Sequence, residues 1–343
     1  MIDGLAPRSR PYILRLTLWS VAILLFILVL RTVSLVDTWT ALRQLKWWQL
    51  LLLIIANGLV ILLMNGRWWL ILRRQGHPIP YLTLTGYRLA GAGLSYFTPG
   101  PQFGGEPLQV LLIERKYQVP RVTAVSAIVL DKILELIVNF SFLAAGIVLL
   151  WQIRLLGDIG GWQTAVFPLF LLSLPLTFLL SIWSGQQPLT YLVQHIMRLL
   201  SWQTHSDRMN IIRRLQRGIQ ASEQQLASFC RNNPRTLSHA FLISLLAWAA
   251  LIAEFWLMLS LFGIQLTFVE MLIALTAARI AILLPLPGGL GTLEASQILV
   301  LTAFGFSPAT ALGFSLLIRA RDILLGCLGL GWAKSALGSL VRS

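Results

Sequence analysis

Six apolar stretches of this chain read as bilayer crossings. They run over 16–30, 47–63, 123–150, 162–182, 237–262 and 308–332. About 20 such residues coiled as a helix span the hydrocarbon layer. No water is available there to satisfy backbone N–H and C=O groups, so the chain must satisfy them internally, as a helix does. Composition closes the alternatives. Hydrophobic residues make up 57% of the chain and charged residues 12%, against roughly 25% charged in an ordinary soluble domain. A water-soluble fold of this size has too little interior to hide so much apolar surface, and a disordered chain needs the opposite composition. The fold class expected is an all-α polytopic membrane protein, a single integral membrane domain over 1–343.

Charge orients it. Lys and Arg number 27 against 13 Asp and Glu, a net charge of +14. In a membrane chain that excess belongs to cytoplasmic loops facing anionic headgroups, so no nucleic-acid partner is expected. Two further apolar stretches, 82–97 and 268–286, are broken by Pro and Gly and read as hairpins that enter the bilayer and turn back. With the N-terminus inside, the inside segments hold about 19 basic residues and the outside segments about 4. Arg67, Arg73 and Arg74 follow 47–63, Arg88 flanks the first hairpin, and all four are counted as cytoplasmic. The prediction is about six full crossings plus two re-entrant hairpins, N-in and C-in, in a bacterial-type inner membrane. Arg8, Arg10 and Arg15 precede 16–30 as in a signal peptide, but RTVSLVDTW follows without a small-x-small cleavage site, so a retained first helix is expected. The long basic segment 185–235 repeats Ile211, Leu215, Ile219 and Leu226 at near-helical spacing. It is expected to be an amphipathic connector lying on cytoplasmic headgroups.

The two interrupted stretches repeat each other at an offset of 188 positions. Pro99 falls on Pro287, Gly100 on Gly288, Glu106 on Glu294 and Pro120 on Pro308, with no gap. The repeat copies cover about 82–150 and 268–334. Three predicted crossings separate them, and an odd number reverses the direction of entry. Two hairpins tipped by Pro and Gly would then meet near the midplane from opposite faces, the inverted-repeat plan in which broken helices form a binding site.

Ionisable groups in hydrocarbon are costly, about 2.5–3.5 kcal/mol each on the lowest insertion scale, and so mark sites. Glu106 and Glu294 follow the two breaks, Arg279 precedes the second, and Arg319 lies in the last crossing. With Gly100, Gly105, Gly288 and Gly289 they are the candidate substrate-binding residues, since bare backbone N–H groups and Arg receive phosphate, while Glu accepts a cationic headgroup or a proton. Asp131, Lys132, Glu135, Glu254 and Asp322 are read as a supporting network of internally neutralised charge. Asp131 and Glu135 share a helix face, and Asp131 falls on Arg319 at the repeat offset. The four His show no paired metal spacing, Ser95 and Ser296 have no His partner, and FGGE and GGLG lack the context of a nucleotide loop. Cys230 and Cys327 lack metal-ligand spacing and predict no disulfide framework. No metal, cofactor or catalytic residue is expected. The Trp pairs at 47–48 and 68–69 read as interfacial anchors.

TPGPQFGGEPLQ followed by VLDKILEL, and PLPGGLGTLEAS followed by IRARDILLG, resemble the lysylphosphatidylglycerol synthase transmembrane-region family, also described as flippase-like membrane proteins. The resemblance runs from about residue 47 to 332. That family includes the membrane part of the multiple peptide resistance factor, which moves aminoacylated phosphatidylglycerol between leaflets. The resemblance implies a lipid transporter whose partner is an anionic or aminoacylated phospholipid. The soluble aminoacyl-transfer domain of the two-part enzyme has no counterpart in these 343 residues, so no aminoacyltransferase activity is expected. Two other readings stand beside it: a membrane enzyme acting on a lipid headgroup, with Glu106 or Asp131 as acid or base, and a non-catalytic partner of an envelope-synthesis enzyme.

Overall fold

A computed structural model describes residues 35–43, 46–98, 104–152, 163–200, 206–284 and 286–341, with isolated positions between 20 and 27. The described residues form helices and turns, with no strand among them. The expected first crossing lies almost entirely outside these residues. The helices are α1 (Leu35–Arg43), α2 (Trp47–Arg74), α3 (Tyr81–Phe97), α4 (Glu106–Tyr117), α5 (Arg121–Gln152), α6 (Gln163–Trp183), α7 (Pro188–Leu200), α8 (Ser206–Asn232), α9 (Pro234–Leu261), α10 (Phe268–Leu283), α11 (Thr292–Ala303) and α12 (Pro308–Val341). A single 3₁₀ turn, Pro287–Gly289, stands between α10 and α11.

Proline and glycine set these boundaries. Helices α7, α9 and α12 each begin on a proline, where its missing N–H leaves no intrahelical bond unmade. After α2, α6 and α9, Gly76, Gly185 and Gly263 take positive φ and turn the chain. Helix α3 ends as Thr98 goes extended, just before Pro99.

Helices α2, α5 and α9 are each long and apolar enough to cross a membrane. A fourth span results if α6 and α7 count as one, although they bend by 105°. Helix α12 has 34 residues and contains the predicted stretch 308–332, but Arg319, Arg321 and Asp322 interrupt its apolar character. The structure thus supports a polytopic helical membrane protein with three or four clearly apolar spans.

Helix α2 packs along α9, and α3 along α12. The second pair is close because side chains are missing. A Cβ on Gly93 would lie 2.5 Å from the Gly326 carbonyl oxygen, and one on Gly329 would lie 2.0 Å from that of Leu89. Close backbone approach of this kind drives helix association in lipid, where hydrocarbon tails remove the hydrophobic incentive. Two apolar clusters follow. One centres on Trp68, Ile71, Tyr87, Leu112 and Leu134. The other centres on Phe255, Met258, Ile273, Leu301 and Phe314. Leu50, Leu51, Ile54 and Ile55 of α2 and Leu169, Phe170 and Leu174 of α6 point outward, as lipid-facing residues do.

The connector 185–235 is more embedded than a helix resting on headgroups. Helix α8 packs on α5 and α6, burying Leu226, Phe229 and Cys230 in the first cluster. Glu223 caps α7, accepting from the Leu189 N–H (2.7 Å), the Thr190 N–H (3.0 Å) and the Thr190 hydroxyl (2.6 Å). The side chains of Ile211 and Leu215 lie outside the described residues.

Candidate functional site

The predicted acidic face of α5 gathers three cations. Asp131 and Glu135 stand one turn apart. Arg67 from α2 reaches both, at 2.9 Å and 3.1 Å. Arg88 from α3 does the same, at 2.9 Å and 3.2 Å. Lys132 lies 3.3 Å from Glu135 and 3.5 Å from Glu106 at the start of α4. Each guanidinium bridges the two carboxylates with one charge-assisted contact to each, which offsets much of the cost of burying them. Arg67 is 1% exposed and Asp131 4%, so neither can fall back on water.

Arg67 and Arg88 correct the sequence reading, which had placed both in cytoplasmic flanks. Helix α2 runs on without interruption to Arg74, two turns beyond Arg67, and Arg88 lies two turns into α3. No proline stands between residues 63 and 74, and Asn65-Gly66 does not end the helix, with Gly66 buried against Ile243.

The second group of charges comes from α9, α10 and α12. Arg321 donates to Glu254 at 2.7 Å and pairs with Asp322 at 2.8 Å. Glu254 also accepts from the Asn57 amide of α2. Arg279 of α10 differs from every cation above. No carboxylate approaches it within salt-bridge distance, and it donates no hydrogen bond to any described residue. Its guanidinium carbon instead lies 5.0 Å from the centre of the Trp248 ring, a contact that holds a cation in place without neutralising it.

The end of α3 meets the second break. Tyr96, near the end of α3, lies against Gly288: a Cβ there would be 2.9 Å from the tyrosine ring. Gly288, Gly289 and Gly291 have φ of 54°, 63° and 81°, a backbone that other residues adopt only under strain. Arg319 ties this turn down. It pairs with Glu294 and donates to the carbonyls of Gly288 (3.3 Å) and Gly289 (3.1 Å) and to the Tyr96 hydroxyl (3.4 Å). Glu294 in turn accepts from the Gly291 N–H at 2.8 Å. In the first break, Glu106 accepts from the Gly104 N–H (2.8 Å) and the Ser95 hydroxyl from the Gly105 N–H (2.9 Å). Gly105 leaves no room for a side chain, since a Cβ would lie 1.9 Å from the Gly91 carbonyl oxygen. Gly100 lies outside the described residues.

Between the two charge groups is a cavity of about 300 Å³. Arg88, Glu106, Asp131, Lys132 and Glu135 line it from one side, and Glu254, Arg279, Arg321 and Asp322 from the other. Tyr96, Gln109 and Asn57 add polar atoms, and Val60, Ile128, Leu251, Phe255 and Leu275 add apolar surface. The cavity is not sealed, because the side chains of Glu106, Lys132, Glu135, Arg321 and Asp322 are 19–29% exposed. Of the candidate binding residues, the structure brings Glu106 and Arg279 to this wall. Glu294 and Arg319 are absent from it, with Glu294 fully buried against Arg319 and the second break. The five residues read as a supporting network all line the cavity. Among the described residues no cluster of His, Cys, Asp and Glu is arranged to hold a metal ion.

Comparison with known proteins agrees with this architecture. The sequence model of the lysylphosphatidylglycerol synthase transmembrane region matches residues 12–329. A UPF0104 membrane protein of Pyrococcus horikoshii is 25% identical over 280 residues, covering 80% of each chain. Another, from Methanothermobacter thermautotrophicus, is 20% identical over 259 residues, covering 73% of this chain and 71% of its own. No solved structure matches. With more than nine-tenths of its length inside that match, the chain belongs to the lysylphosphatidylglycerol synthase transmembrane-region family.

Proposed function

We propose that the protein carries the headgroup of a membrane lipid, anionic or aminoacylated, between leaflets through the charged cavity, without altering it chemically. The carrying observation is the cavity wall itself: nine ionisable side chains drawn from both halves of the chain, partly exposed, around a space sized for a headgroup. Ligand pockets begin at about 300 Å³. A headgroup fits such a space while its acyl chains stay in lipid. Partial exposure lowers the desolvation cost of these charges and leaves them within reach of a ligand entering the cavity.

Helix bounds support the inverted repeat. Shifted by 188 positions, α2 falls on 235–262 against α9 (Pro234–Leu261), and α3 on 269–285 against α10 (Phe268–Leu283). Helix α4 falls on 294–305 against α11 (Thr292–Ala303), and α5 on 309–340 against α12 (Pro308–Val341). A two-fold relation between copies exchanges α3 with α10 and α5 with α12. The contact of α3 with α12 then requires one of α10 with α5, which occurs, and the contact of α2 with α9 maps onto itself. On this reading the paired breaks are re-entrant hairpins, the full crossings number about six, both termini face the cytoplasm, and the host membrane is a bacterial-type inner membrane.

Purified protein in liposomes with a fluorescent short-chain lipid tests the proposal. Quenching from outside should reach the inner-leaflet pool faster than in protein-free vesicles, and Glu106→Gln should slow it. Rates equal to protein-free vesicles across anionic and aminoacylated lipids would refute the proposal, and chemical conversion of the lipid would favour an enzyme.

A further inference from the structure

The two sides of the cavity balance their charge differently, and the difference specifies the ligand. On the α5 side, Arg67, Arg88 and Lys132 meet Glu106, Asp131 and Glu135, each cation within 3.5 Å of a carboxylate. That side offers a ligand no unmatched charge. On the α12 side, Arg321 is in salt-bridge contact with two carboxylates, Glu254 and Asp322, while among the described residues no carboxylate reaches Arg279 at that distance, and Asp322 and Glu254 act on it from further off. The cavity therefore holds one guanidinium whose N–H donors make no hydrogen bond to any described residue and, on the same side, two carboxylates in direct contact with a single cation. The total is neutral, but the two unmatched charges are distinct groups.

We infer that the site takes a headgroup carrying a phosphodiester and an ammonium together, with phosphate on Arg279 and ammonium on the Asp322–Glu254 pair. This rests on the headgroup reading above and narrows it. Arginine matches phosphate oxygens in a bidentate fork, and Trp248 beneath it fixes the guanidinium plane without using those donors. Asp322 is the exposed member of the acidic pair, its side chain 19% accessible against 3% for Glu254, so the ammonium approaches Asp322 first. A headgroup with phosphate alone satisfies Arg279 but leaves the extra carboxylate unmatched in a low-dielectric wall. A headgroup of net positive charge does the reverse.

The same chemistry belongs to an aminophospholipid and to its water-soluble headgroup, and the test separates them. Full-length protein in detergent is heated with dihexanoyl phosphatidylethanolamine, dihexanoyl phosphatidylglycerol or soluble glycerophosphoethanolamine, and a ligand that binds the folded state raises the unfolding temperature. The expected result is binding of the ethanolamine lipid about tenfold tighter than the glycerol lipid, as a charge-assisted contact implies. Asp322→Asn should erase that preference, and Arg279→Gln should weaken both lipids. Arg321 keeps Glu254 in Asp322→Asn, and Glu254→Gln provides a second variant should the first fail to fold.

Equal binding of the two lipids, or a preference that survives both acidic variants, overturns the inference whether or not lipid crosses liposomes. Glycerophosphoethanolamine binding as tightly as the lipid overturns the lipid as the source. A preference lost in Asp322→Asn, with no leaflet exchange in liposomes, upholds the inference about the ligand and refutes translocation.

Discussion

The two breaks in this protein are built from the same sequence elements and end in different states. Glu106 and Glu294 are equivalent by position, and each accepts a backbone N–H of its own break. Glu294 is fully buried and locked to Arg319, which also holds the carbonyls of Gly288 and Gly289. The side chain of Glu106 is 21% exposed and faces the cavity, with Lys132 at 3.5 Å as its cation. One copy of the motif serves as a fixed joint, while the other presents its carboxylate to the space where a ligand would sit. The two breaks share a sequence pattern, and the partner on the neighbouring helix sets what each becomes: at an offset of 188 positions Asp131 stands at one place and Arg319 at the other.

The largest effects should come from the locked charges. Arg319→Ala leaves Glu294 buried without a cation and releases the second break, and loss of a buried partner costs about 3–5 kcal/mol. Chemical unfolding in detergent should show that loss, and a thiol placed at Gly288 should become reactive. Asp131→Asn should cost a similar amount, because it removes a carboxylate shared by Arg67 and Arg88. Next comes Glu106→Gln, which keeps an acceptor for the Gly104 N–H. It should cost about 1 kcal/mol or less, as partly exposed pairs do, while slowing leaflet exchange in liposomes. If Glu106→Gln destabilises as much as Arg319→Ala, the two breaks are not different in kind.

The smallest effect belongs to Cys230, in α8 away from the cavity. Burial pushes its thiol up to about 11, so the reactive thiolate is scarce at neutral pH and grows only as pH approaches that value. In a Cys327→Ser background, which removes the exposed second cysteine, maleimide labelling at pH 7 should therefore be slow with and without Glu106→Gln, and fast once a variant has loosened. Rapid labelling of Cys230 in the Cys327→Ser chain would contradict the packing of α8 on α5.

Much of the helix plan was legible because proline and glycine act through local sterics. The expected segments 82–97 and 268–286 become α3 and α10 to within a few residues. Asp131 and Glu135 were readable as a shared helix face for the same reason. The partners across helices were not. Arg67 looked like a loop residue after an apolar run, and only the approach of α2 to α5 reveals its carboxylates. Arg321 and Glu254 are 67 residues apart, a pairing no local spacing announces. The unpaired state of Arg279 was equally hidden, since a missing partner is a property of tertiary packing.

Leaflet exchange in liposomes containing Arg279→Gln tests the central claim most directly. This guanidinium rests on the Trp248 ring and feels Asp322 and Glu254 without salt-bridge contact, so its removal should cost less than Arg319→Ala, about 1–2 kcal/mol. The account predicts a variant that folds like the wild type and exchanges lipid at nearly the protein-free rate. A well-folded variant that exchanges lipid as fast as the wild type would contradict it.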